Sequence, residues 1–446
     1  MKFVVIGGDA AGMSAASRAK RNAPDLGLVV LEQTTDVSYS ACGMPYNLAD
    51  PGRSIEDLVV RPAKVFIEKQ GLDLRLGHKV ERIDRTAKKV LGRTHAGDGF
   101  EVDYDKLCIA TGARAIILDI PGAELPEVMG LKSLEDGRRI KAYLADHDVK
   151  RAVIIGAGYI GLEMTEAFHD RGIETTIVEA LPRLLPWLPQ GMSDLVAAEL
   201  ESKGVKLLVG TSPLAIERTD KGLAVAVGSE RLPCDMVLMA VGVAPNSEIA
   251  AAAGLDLGPK RAIAVDRGLR TSDPNIYAAG DCADAFNVVS GRRVWVPLAL
   301  RANRAGWAVA DNVTGKDVQL PGIANTAVFK VLDMEVATTG LRVNDAGEAG
   351  FAPVEIVIQS RSRAHAHPGN QTIHICMLGD SKTGRLLGAQ MVGREGVAHR
   401  INAVAVALHA GMTAEDFVQC DMAYAPPFSP VWDPLLTAGN QLLKKL

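Results

Sequence analysis

The sequence predicts an α/β chain made of two successive parallel-sheet units and a C-terminal α+β segment, and three observations carry that expectation. One βαβ pattern occurs twice, each copy turning on glycines, and each copy ends its second strand on an acid. After about residue 320 this pattern stops, and alternating strands with an amphipathic helix replace it.

The first copy opens on Phe3-Val4-Val5-Ile6 and enters Gly7-Gly8-Asp9-Ala10-Ala11-Gly12. It continues as a helix to about Asn22 and returns through Leu28-Val29-Val30-Leu31 to Glu32. The second runs from Ala152-Val153-Ile154-Ile155 into Gly156-Ala157-Gly158-Tyr159-Ile160-Gly161, then through a helix to about Arg171 and a strand Thr175-Thr176-Ile177-Val178 that ends at Glu179. In each turn the first glycine permits the bend, the second leaves room beside a pyrophosphate, and the third lets helix pack on strand. The helix N-terminus offers free N–H groups and partial positive charge to the phosphates. The acid, 20 residues after Gly12 and 18 after Gly161, accepts from ribose hydroxyls. A lone glycine triplet is a weak signal, but two copies with strand, helix and acid read as Rossmann-like dinucleotide-binding units. Asp9 stands where the first turn would have its middle glycine. Glu179 favours NADH, because a 2′-phosphate would meet a carboxylate there; Arg183 nearby keeps NADPH as the alternative.

At 446 residues the chain exceeds one core and predicts two or three domains. With 48% apolar and 23% charged residues it reads as an ordinary folded protein. A net charge of -4 without a basic run argues against nucleic acid or an anionic membrane as partner and leaves a small molecule. The N-terminal strand meets glycines directly, without signal-peptide regions, and no apolar run reaches the roughly 18 residues of a spanning helix, so a cytoplasmic protein is expected. The six cysteines show no CxxC pair and no metal-ligand spacing, which predicts no metal site. All except Cys42 read as small buried hydrophobes.

Two further strands give the units a family likeness. Leu107-Cys108-Ile109-Ala110-Thr111-Gly112-Ala113 ends in Thr-Gly, and Asn275-Ile276-Tyr277-Ala278-Ala279-Gly280-Asp281 ends in Gly-Asp. They resemble the paired FAD signatures of the pyridine nucleotide-disulfide oxidoreductases, in which Asp281 would contact the ribityl and phosphate region. Val241-Gly242-Val243-Ala244-Pro245-Asn246 resembles that family's return from the NAD domain, and Pro297-Leu298-Ala299 its flavin-ring contact. The resemblance covers essentially the whole chain. It implies a discontinuous FAD domain over 1–112 and 245–320, an NAD(P)H domain over 113–244, and a C-terminal domain over 321–446 that makes a homodimer whose tail completes the partner's active site. In that last domain residues 326–336, 353–359 and 371–378 read as strands, and Val397 to Ala410 as a helix.

Within the family, Cys42 in Tyr39-Ser40-Ala41-Cys42-Gly43-Met44-Pro45-Tyr46 occupies the place of the redox thiol. A helix N-terminus beside it would favour the thiolate. Asn47, five residues on, excludes the CxxxxC subclass. Ala10 stands where peroxidases and water-forming oxidases carry histidine, which leaves an NADH oxidase as the alternative. The single-cysteine coenzyme A-disulfide and persulfide reductases are resembled more closely, through Ala10 to Ala16, the Cys-Gly-Met-Pro-Tyr run and the tail from Tyr424 to Pro434. Two departures stand against coenzyme A: Ala41 replaces the usual Asn, and Ala366-His367-Pro368-Gly369 replaces Tyr-Tyr-Pro-Gly.

The resemblance therefore implies reduction of a disulfide, persulfide or polysulfide at one cysteine. Tyr424 of the partner, with His367 or His365 as substitutes for a missing tyrosine, would serve the leaving thiolate. Ser14, Arg18, Arg21 and Ser38 match positions for a coenzyme's phosphates and pantetheine. Tyr159 is the expected lid over the nicotinamide site and Glu163 a neighbour of that ring. A nucleotide-responsive redox sensor is the non-enzymatic alternative.

Overall fold

The computed structural model describes residues 1–220 and 222–446. Its first sheet has five parallel strands in the order Asp73–Arg75, Gly27–Leu31, Lys2–Ile6, Lys106–Ile109, Ile276–Ala278. The second repeats the layout with Lys206–Val209, Glu174–Glu179, Arg151–Ile155, Met236–Met239, Val128–Gly130. In both, the strand that feeds the glycine turn is central and almost wholly buried, as the uninterrupted Val/Ile runs require of a sheet covered on two faces. Each unit also makes a three-stranded antiparallel meander, one from His78 to Asp103 between the strands Asp73–Arg75 and Lys106–Ile109, and one from Pro213 to Cys234 between Lys206–Val209 and Met236–Met239. The sequence reading had not resolved these meanders.

Two short strands, Ala113–Ala115 and Val243–Pro245, pair antiparallel where the chain leaves and re-enters the first sheet. Asn246 fastens this crossing, donating to Thr111 O at 2.9 Å while Thr111 Oγ1 donates to Asn246 O at 2.5 Å. The first helix, Ala10–Asn22, lies on the long helix Ala299–Val313. Small residues make the approach close: a Cβ on Gly306 would meet Ala11 O at 2.3 Å.

The C-terminal sheet is antiparallel, in the order Ala327–Val331, Met334–Gly340, Leu386–Gly393, Thr372–Asp380, Pro353–Arg361. Residues 326–336, expected as one strand, are a hairpin, because Leu332 takes a left-handed φ of 53° and Val331 pairs with Met334. Leu386–Gly393 is buried at every position and so lacked the alternation that marks a half-buried strand. Helices Val397–Ala410 and Pro434–Leu443 pack on the sheet. Lys330 Nζ lies 2.6 Å from Glu166, Lys203 Nζ 2.7 Å from Asp333, and Arg394 pairs with buried Glu199, so ionic contacts tie this segment to the second unit. No helix among the described residues is long and apolar enough to cross a membrane.

Candidate active site

One continuous cavity of about 2040 Å³ runs from the first glycine turn past Cys42 to the second turn. It lies outside the carboxyl ends of the parallel strands, where open α/β sheets hold ligands. The glycines explain its walls. Gly7 has φ +107°, and a Cβ there would meet Ala110 O at 2.2 Å; Gly156 has φ +101°, with Ala240 O at 2.6 Å. Gly12 and Gly161 sit behind the turns, where a Cβ would strike Gly7 O at 1.9 Å and Gly156 O at 2.1 Å. Gly158 is different, because the nearest protein atom to its Cβ position is Ala240 O at 4.0 Å. The protein leaves that space open on the cavity side, as a pyrophosphate against the backbone requires. Both turns thus fit a dinucleotide.

Each acid braces its own turn. Glu32 accepts from Gly8 N at 2.7 Å and from Thr34 N and Oγ1 at 2.7 and 2.8 Å; Glu179 accepts from Ala157 N and Leu181 N, both at 2.8 Å. A carboxylate has about four acceptor sites, so each retains capacity for a ribose hydroxyl. Asp9, Ala10, Ala11, Thr111, Gly112, Asp281, Leu298 and Ala299 line the first half of the cavity, while Gly158, Tyr159, Ile160, Glu163, Glu179 and Gly242 line the second.

Cys42 sits in a short 3-10 turn, Ala41–Gly43, that leads directly into the helix Met44–Ala49. The buried face of that helix, Met44 and Leu48, joins the core of the second unit with Met164, Phe168 and Phe329. The thiol is therefore carried by the first unit's chain and held by the second unit's core. Cys42 is the only cysteine on the cavity wall among the described residues; Cys108, Cys234, Cys282 and Cys376 are buried elsewhere. Partial burial and the facing carboxylate of Glu163 hold its thiol above the usual range, against the pull of Lys132. The expected thiolate thus draws no help from the charge of Glu163, and the cation that offsets it is one the sequence reading had missed.

That cation is positioned by a capping box. Ser133 Oγ accepts from Asp136 N at 3.2 Å, and Asp136 Oδ2 accepts from Ser133 N at 2.8 Å and Lys132 N at 3.0 Å, at the head of helix Leu134–Asp146. This leaves Lys132 Nζ 3.1 Å from Asp281 Oδ2 across the unit boundary. Tyr46, also missed, donates to Glu163 Oε1 at 2.9 Å, and burial raises the pKa of both groups. Arg301 is a third omission. It is 7% exposed, and it donates from Nη1 to Gly280 O and from Nη2 to Ala283 O, both at 2.9 Å, and to Asp284 O, fixing the turn that presents Asp281.

Tyr159 opens the second helix and lies against Phe329, ring centroids 4.6 Å apart, with Trp187 edge-on at 6.4 Å. Arg342, also on the cavity wall, lies over the Trp187 ring, 5.1 Å from its centroid. The Tyr159 side chain thus forms part of the cavity wall beside the second turn.

The expected substrate contacts do not gather on this wall. Ser14 Oγ donates to Asn303 at 2.7 Å and stands one residue behind the cavity. Arg18 grips Asp311 through Nε and Nη2 at 2.9 and 2.8 Å, with Asn22 and Lys316 on the same carboxylate, which is held well below the usual range. Arg18 brings its own counter-ion and lends little net charge to a phosphate. Arg21 is exposed on the same helix. Ser38, with φ 51°, spends its backbone on Gly8 and Val60. Tyr424 and His367 are absent from the chain's own cavity, and Tyr424 is 48% exposed.

Residues 1–306 match the family described as pyridine nucleotide-disulphide oxidoreductase, and residues 326–434 match its dimerisation domain. A Pyrococcus horikoshii protein named NAD(P)H coenzyme A polysulfide/persulfide reductase is 38% identical over 444 residues, 99% of this chain and 98% of that protein. A Methanocaldococcus jannaschii protein named NADH oxidase is 34% identical over 450 residues, 100% of this chain and 99% of that one. Among solved structures, an NAD-dependent persulfide reductase from A. fulgidus aligns with a TM-score of 0.95 at 36% identity, covering 100% of this chain and 83% of its own. The chain belongs to the pyridine nucleotide-disulphide oxidoreductase family.

Proposed function

We propose that this protein takes electrons from NADH and uses Cys42 to reduce a small disulfide, persulfide or polysulfide, with FAD on the first glycine turn. The observation that carries the reading is the single thiol that the described residues place on the cavity wall between the two turns. Residues 1–112 and 245–320 would hold FAD, 113–244 the nicotinamide nucleotide, and 321–446 a second copy of the chain. FAD, when bound, supplies the two-electron relay between nicotinamide and thiol. Glu32, Asp281 and the first turn orient it; Tyr159 and Glu163 border the nicotinamide pocket. The Cys42 thiolate attacks one sulfur of RSSR, forming a Cys42–S–S–R mixed disulfide and expelling RS⁻. Two electrons from NADH then cleave that bond, restoring Cys42 and releasing the second RS⁻. The sum is NADH + H⁺ + RSSR → NAD⁺ + 2 RSH.

Glu179 supports NADH over NADPH, and Arg183 Nη2 is turned away onto Pro186 O at 2.6 Å. The relatives' names support coenzyme A as carrier of the substrate sulfur, and Arg18, held by Asp311, is not free to take its phosphates. On the tail, Phe428, Val431 and Trp432 are 76%, 66% and 62% exposed. That apolar strip supports a homodimer in which Tyr424 of one copy protonates the thiolate leaving the other's Cys42.

The relative named NADH oxidase supports a second reading, with oxygen as acceptor. Oxygen-free assays separate the two. Coenzyme A disulfide or polysulfide should raise NADH consumption at least tenfold over NADH alone without oxygen. Fast oxygen uptake with no response to either sulfur compound would overturn the reductase reading.

A further inference from the structure

The first turn departs from the second at one residue, and the geometry shows what its side chain would meet. Asp9 has φ −106° and ψ −152°, extended backbone that any residue adopts, so a side chain is tolerated there. The equivalent in the second turn is Gly158, beside which the protein leaves its space empty. Asp9 lines the cavity and does not cap its own helix; among the described residues its side chain accepts one hydrogen bond, from Tyr39 N at 3.3 Å. The carboxyl group therefore stands where the phosphates of a dinucleotide pass.

Its surroundings disfavour a charge. Glu32 faces it from the end of the second strand, Asp281 from the Gly-Asp turn, and the Tyr39 and Cys42 side chains from the intervening loop. Lys132 is the one cation among them and is already 3.1 Å from Asp281. Burial pushes the Asp9 acid up to about 6. A diphosphate would add two more negative charges at the same point.

We infer that Asp9 holds FAD as the neutral acid, donating its proton to a diphosphate oxygen, so that retention of FAD is coupled to one proton. The balance is Asp9–COO⁻ + H⁺ + FAD → Asp9–COOH···FAD. The inference rests on the assignment of FAD to the first turn. It makes Asp9 a proton-bearing phosphate donor in place of the open space that the glycine motif provides. With the acid near 6, about one Asp9 in ten is neutral at pH 7 before FAD binds. Affinity should then fall about tenfold for each pH unit above about 6, until the pKa in the complex is passed.

The test uses full-chain holoenzyme diluted until part of its FAD is released, with released flavin read by fluorescence from pH 6 to 8.5. The dissociation constant should rise about tenfold per unit over part of this range, and the infrared spectrum of the holoenzyme should show a carboxylic-acid C=O band. Asp9→Asn should flatten the pH dependence, abolish the band and retain FAD at least tenfold more tightly at pH 8.5. Asp9→Gly, which restores the glycine of the motif, should flatten it as well. A flat wild-type profile, or an Asp9→Asn slope equal to the wild type, would overturn the inference. A wild-type protein that holds no FAD at any pH would overturn both it and the cofactor assignment.

Discussion

Cys42→Ser is expected to lower disulfide turnover by on the order of 10³-fold or more, while NADH still bleaches the flavin absorbance at close to the wild-type rate. A serine hydroxyl is too weak an acid to supply a nucleophile here, and Glu163, the carboxylate that most affects the Cys42 thiol, is shared with Tyr46. Nor can another cysteine substitute, since four are buried away from the cavity and Cys420 is not on its wall. In the proposed reaction the transfer of electrons from the nicotinamide does not depend on the thiol. Steady-state assays with disulfide and rapid mixing with NADH alone separate the two half-reactions. Disulfide turnover that survives in Cys42→Ser would remove this residue from the chemistry.

Arg301→Met should destabilise the protein by about 3–5 kcal/mol and strip much of its FAD. Three main-chain carbonyls, of Gly280, Ala283 and Asp284, take hydrogen bonds from this one guanidinium in the interior. Methionine fills similar volume but donates nothing, so the carbonyls lose a charged donor without gaining water. The same turn carries Asp281, and loosening it misplaces the carboxylate on which Lys132 also rests. Arg301→Lys keeps the charge but not the fork, and should recover only part of the loss. Thermal unfolding and the ratio of flavin to protein absorbance give the two readings. Wild-type values for both in Arg301→Met would show that the turn holds itself.

The contrast between Glu179 and Arg18 shows what a linear sequence reveals. Glu179, Glu32 and the glycines obey local rules: strand, turn, helix and acid recur within about 30 residues, so periodicity and turn chemistry expose them. Cys42 stood out through its motif and place after Glu32. Arg18 looked like a free cation for a phosphate because its partner, Asp311, lies 293 positions away. Lys132 and Asp281 are separated by 149 positions, and Ser14 and Asn303 by 289. No spacing rule reaches so far; those pairs exist only because both units line one cavity and the first helix lies on the helix that begins at Ala299. The Ser133 capping box was readable and would have marked Lys132 as a residue held at a helix entrance. In the C-terminal sheet, the buried strand Leu386–Gly393 lacked alternation, and the turn at Leu332 offered no glycine or proline to announce it.

The account turns on electrons leaving through a mixed disulfide at Cys42, and the mass of the peptide containing that residue tests it most directly. Unreduced enzyme mixed with one equivalent of disulfide, without oxygen, should gain one RS group on Cys42 and release one thiol. One equivalent of NADH should then remove the adduct and release the second. Thiol release driven by NADH with Cys42 never modified, or an adduct that NADH leaves in place, would contradict it.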